Sequence, residues 1–65
     1  MKIELNTSAI KKHIGKRVKY RHTYYHLRPD QYFIGTIKEI YRKQIDFGNG
    51  EWYFIRDLYY IELID

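Results

Sequence analysis

Apolar and polar residues alternate along most of this chain, and the alternation predicts short strands. "MKIEL", Met1 to Leu5, sets Ile3 and Leu5 against Lys2 and Glu4, the period-two pattern of a half-buried strand. The pattern stops at "NTSAIKKHIG". There Asn6, Thr7 or Ser8 can accept a backbone N–H and start a helix, with Ile10 and Ile14 four apart on one face. Lys12 and His13 stand at the favourable end of the helix dipole, and Gly15 can take the left-handed conformation that stops it. Two turns are unstable alone, so this helix must lay both isoleucines over apolar surface.

"KRVKYRH" restores the alternation, with Val18 and Tyr20 against Arg17, Lys19 and Arg21. From Arg21 to Gln31 no period survives, and Pro29-Asp30 marks a turn inside a loop of about ten residues. "YFIGTIKEIYR" is the longest strand candidate. Gly35 permits a bend or a close backbone approach, and the spacing of three between Ile37 and Ile40 calls for a bulge. "KQIDF" puts Ile45 and Phe47 on one face, and Asn49-Gly50 is a strong signal for a tight hairpin. On the returning strand "EWYFI", Tyr53 and Ile55 pair with that face and turn Trp52 and Phe54 outward, unless a bulge near Gly48 exchanges the two. "RDL" reads as a brief turn. "YYIELI" ends the pattern with Tyr59, Ile61 and Leu63 on one side and Tyr60, Glu62 and Ile64 on the other.

Five or six short strands and one small helix predict a mainly β fold, and closing them into a barrel removes the sticky edges of a flat sheet. At 65 residues the chain is expected to form a single domain. Residues 1–14 would supply a strand and a helical cover over the barrel's open end, and 15–64 the barrel. The order "GKRVKYR", long loop, "GTIKEI", "IDFGNGEWYFI", "RDLYYIEL" resembles the SH3-like barrels, and among them the Tudor and KOW modules, over roughly residues 15–64. "DFGN", Asp46 to Asn49, is similar to the "DYGN" segment of Tudor domains. Gln44 stands where those domains usually carry a further cage aromatic. The resemblance implies an SH3-like barrel serving as a binding module, and such barrels take DNA, RNA, peptides or partner subunits alike.

Composition narrows the chemistry. Cysteine is absent, which excludes disulfides and thiolate metal sites. His13, His22 and His26 are the remaining candidate ligands. No metal-binding spacing joins them, and no metal or other cofactor is expected. Ser8 is the lone serine, explained by the helix start, and no triad or phosphate-cradling glycine loop occurs, so the chain reads as a non-enzyme. No apolar run is long enough to span a membrane, and with no signal-type segment at the N-terminus the expected location is the cytoplasm.

Charge points to a partner. Residues 1–28 hold eight basic groups and one acidic, while 29–65 hold four basic and seven acidic. A basic lobe on an aromatic-rich domain suits a polyanion. Lys11, Lys12 and Lys16 can form a ridge along the helix and its exit. Arg17, Lys19 and Arg21 make a stripe about 13 Å long on one strand face. Arg28, Tyr24 and Tyr25 would reach bases or groove walls from the loop. The chain therefore reads first as a small nucleic-acid-binding module, DNA before RNA, with weak sequence preference. The alternative is a protein-interaction module or inhibitor of a larger bacterial or phage machine, binding through Tyr32, Trp52 and Phe54.

Overall fold

Six strands in two antiparallel sheets, one short helix and one 3-10 turn make up the computed structural model, which describes residues 1–23 and 28–64. The elements are α1 (Thr7–Lys11), β1 (Arg17–His22), β2 (Phe33–Thr36), β3 (Glu39–Tyr41), β4 (Gln44–Asp46), β5 (Trp52–Phe54), the 3-10 turn (Ile55–Asp57) and β6 (Leu58–Leu63). One sheet has the order β2-β1-β6 and the other β3-β4-β5.

The expected long strand is two strands in different sheets. It breaks at Ile37–Lys38, where a buried isoleucine turns into the core between β2 and β3. The backbone there stitches the sheets together. Thr36 and Lys38 donate to the carbonyls of Phe47 and Asp46 at 3.2 and 2.9 Å, while Ile37 exchanges hydrogen bonds with Gly15 and Lys16. Gly35 allows this closeness: a Cβ on it would lie 2.7 Å from the Phe47 carbonyl oxygen and 3.0 Å from the Phe47 Cβ. The close approach expected of Gly35 is thus present, and the expected bulge is replaced by a strand break.

The N-terminal segment departs from its expected form. Met1 to Leu5 is extended and touches β6 through one bridge, Lys2 to Glu62, with Ile3 donating to Ile61 and Leu63 donating to Met1. Ile3 is buried, but the chain bends at Leu5 and leaves it exposed. Asn6 caps α1 by accepting from the Ala9 N–H at 2.8 Å, a contact worth about 1 kcal/mol. The helix then stops at Lys11, so Ile10 is fully buried while Ile14 lies in the following turn, 45% exposed. One isoleucine, not two, anchors the helix.

The interior is a stack of rings inside an aliphatic shell. Ile3, Ile10, Val18, Ile37, Ile45, Ile55, Leu58 and Ile61 form the shell. The rings of Tyr20 and Phe47 lie 3.7 Å apart and nearly parallel, and His22 stacks between Phe33 at 4.8 Å and Tyr53 at 4.6 Å. Each such buried side chain contributes about 1.5–3 kcal/mol, which matters in a chain that hides so little of its surface. His22, grouped above with the candidate ligands, is a core residue.

The two hairpins of the second sheet invert their sequence signals. Phe47–Glu51 makes a five-residue loop, with positive φ at Gly48 and Gly50. Asp46 accepts from the Gly48 N–H, Asn49 accepts from Glu51, and the Tyr53 hydroxyl joins Asn49 and Glu51. The tight two-residue turn instead falls at Arg42-Lys43, with φ of 51° and 62°.

Candidate functional site

The outer face of the β2-β1-β6 sheet gathers cations and tyrosines. Alternation along β1 turns Val18, Tyr20 and His22 into the core and leaves Arg17, Lys19 and Arg21 outside. Lys19 stands opposite Ile34 on β2 and Glu62 on β6, and Arg21 opposite Tyr60. Lys2 reaches the same face through its bridge to Glu62.

A bulge adds a ring to this face. Arg21 pairs with Tyr60 and His22 with Leu58, so Tyr59 is the extra residue of β6. Strict alternation would send Tyr59 inward with Ile61. The bulge puts Leu58 in the core and leaves Tyr59 half exposed beside Arg21, whose Nε donates to its hydroxyl at 3.1 Å. Tyr32, just before β2, lies with its ring 5.2 Å from that of Tyr60.

Each ring carries a cation. Lys19 Nζ is 4.8 Å and the Arg21 guanidinium 5.4 Å from the centre of Tyr32. Arg21 is also 5.5 Å from Tyr59, and Lys2 Nζ is 5.3 Å from Tyr60. Such contacts are worth about 0.5–1 kcal/mol at exposed sites. Arg21 also donates to the Pro29 carbonyl at 2.9 Å, tying the loop to the strand. Glu62 is the acidic member of the face. It accepts from the Tyr60 hydroxyl and lies 3.6 Å from both Lys19 Nζ and the Met1 ammonium. Three side-chain cations thus lie over three tyrosines beside one carboxylate, and Arg17 adds a fourth farther along β1.

The expected site residues divide. Arg17, Lys19 and Arg21 come together as a stripe. Lys11, Lys12 and Lys16 are exposed on α1 and the turn after it, outside the three strands of this face. Arg28 is exposed in a small turn whose backbone pairs with Gln31. Tyr24, Tyr25 and His26 lie outside the described residues. Tyr32, grouped above with Trp52 and Phe54, belongs to the basic face instead. Trp52 and Phe54 are on β5 in the other sheet, turned outward as expected at 41% and 37% exposure. Lys2, Tyr59 and Tyr60 are the members that pattern reading missed. The signal for Tyr59 was available only as the doubled tyrosine, since the bulge depends on pairing with β1.

Among the described residues no cluster of three or more His, Asp or Glu could hold a metal ion, and no helix is long and apolar enough to cross a membrane. Set against protein-family models, curated proteins and solved structures, the chain gives no match in any of the three comparisons.

Proposed function

We propose that this protein is a non-catalytic module that binds single-stranded nucleic acid, DNA in the first instance, across the outer face of β2-β1-β6. The observation that carries this reading is the cation over each of Tyr32, Tyr59 and Tyr60. A phosphate passing the rim would draw Lys2, Lys19 or Arg21 toward itself and free a ring face for a base. Base stacking on an exposed ring contributes about 1–3 kcal/mol and is indifferent to base identity, which gives affinity with weak sequence preference. Rings standing on an outer sheet face suit splayed bases better than a duplex groove wall. In the same reading the two sheets are the halves of an SH3-like barrel, joined where Thr36 and Lys38 meet Phe47 and Asp46.

Titration of labelled oligothymidylate tests the proposal. Three phosphate contacts, the four cations offset by Glu62, give a salt slope near −2, so affinity should fall about 40-fold from about 50 to 300 mM salt. Arg21→Ala and Tyr60→Ala should each weaken binding by about tenfold. Absence of binding at about 50 mM salt, or binding that ignores both substitutions, overturns it.

A further inference from the structure

A second site stands beside the β3-β4 turn. Leu5, Asn6, Thr7, Arg42, Lys43, Phe54, Ile55 and Arg56 line a half-open hollow of about 380 Å³. Leu5, Phe54 and Ile55 make an apolar floor with room for one large side chain. Arg42, Lys43 and Arg56 ring it, and no carboxylate lines it among the described residues.

The turn that supplies two of these cations is strained. Arg42 and Lys43 both adopt left-handed backbone, the requirement of a two-residue turn of this type, which asparagine and glycine meet at lower cost. Lys43 is fixed there by its carbonyl, which accepts from the Ile55 N–H at 3.0 Å. Strain at a ligand-facing turn is a recurrent mark of function, because the fold keeps residues that its backbone disfavours. Arg56 is held from the other side, its guanidinium 4.6 Å from the centre of the Phe54 ring.

From these two independent observations we infer that this cavity is a docking site for an acidic protein segment that carries one large apolar side chain. The apolar side chain enters between Leu5, Phe54 and Ile55, and flanking carboxylates meet Arg42, Lys43 and Arg56. Charge complementarity selects the occupant. Three cationic residues around one apolar hollow fit carboxylates placed around a single side chain, whereas a nucleic-acid strand needs cations spaced along a track, as on the tyrosine face.

The test uses the full chain and a fluorescent peptide, Glu-Glu-Phe-Glu-Glu, followed by anisotropy. Saturable binding is expected, weakened about tenfold or more when the peptide's glutamates become glutamines or its phenylalanine becomes serine. The double variant R42N/K43G separates docking from folding. It should melt about 5 °C higher, since the turn is relieved, and bind the peptide at least tenfold more weakly. Its affinity for oligothymidylate should stay unchanged. No saturation up to about 1 mM peptide, or R42N/K43G binding as tightly as the parent, overturns the inference. So does displacement of the peptide by oligothymidylate.

Discussion

The two outer faces of this protein use the same residue types to opposite ends. On the β2-β1-β6 sheet, Lys2, Lys19 and Arg21 lie over Tyr32, Tyr59 and Tyr60, and Glu62 holds part of the charge in place. On the β3-β4-β5 side, Arg42 lies over Tyr41 and Arg56 over Phe54, but these cations border a hollow, and no carboxylate lines it among the described residues. The difference teaches that geometry, not composition, separates the two readings. A row of rings along a sheet face can accept a run of repeating units, whereas a hollow bordered by cations accepts one side chain.

The strongest way to break the comparison is to separate the sheets. Gly35→Val should cost about 3 kcal/mol or more, because the new side chain meets the Phe47 backbone and not a movable side-chain tip. A chain of this length has roughly 3–10 kcal/mol in total, so both faces should fail together. Urea denaturation read by tryptophan fluorescence would measure the loss. A variant as stable as the parent would mean that the sheet junction gives easily and the faces are independent.

The next largest effect is pH-dependent and arises in the ring stack behind both faces. Burial holds the His22 imidazole below its ordinary value of 6.5, against the opposing pull of Glu51 and Asp57. The unfolded chain therefore binds the proton first. The His22 contribution to stability is full above about pH 6.5 and is lost as the pH falls from there through the lower folded value. Tyr20 behaves in the mirror sense. Burial, then the nearby Tyr53 and Glu51, push its hydroxyl from 10.0 up to about 12, so stability falls as the pH rises past 10 toward 12. Urea midpoints measured across pH should show a plateau between these limits. His22→Phe should flatten its acid side alone; an unchanged acid limb would assign the loss to carboxylates.

The smallest effect sharpens the contrast most directly. Glu62→Gln removes the acidic member of the tyrosine face and frees Lys19. It should raise oligothymidylate affinity about threefold at low salt and steepen the salt dependence by about 0.7. Docking of the acidic peptide on the opposite side should not change. A shift in both affinities would show that the two faces communicate through the core.

Much of this architecture was legible in the chain, and the misses share a cause. Val18, Tyr20, Ile45, Phe47, Tyr53 and Ile55 are buried as alternation requires, and the arginine-lysine stripe on β1 follows from the same rule. Asn6 and Ile10 were readable because capping and helical spacing are local. Ile14 was not, because the helix ends where the chain must reach Ile37, a tertiary demand. Tyr59 needed the offset between β1 and β6, which no single strand encodes. The hairpins reversed for a related reason. The Asn-Gly pair sits in a loop widened by Asp46, Asn49 and Tyr53 side chains. The tight turn falls on Arg42-Lys43, where sequence preference argues against it and the pairing of β3 with β4 requires it.

The position of β1 has a consequence for synthesis. Its two hydrogen-bonded neighbours are β2 and β6, and Val18 faces Leu63 across the second pairing. While the chain grows on the ribosome, the stripe-bearing strand has only one of its partners. The sheet cannot be completed until β6 has joined β1, a pairing between strands far apart in the chain, so its folding is expected to be slow for so short a sheet.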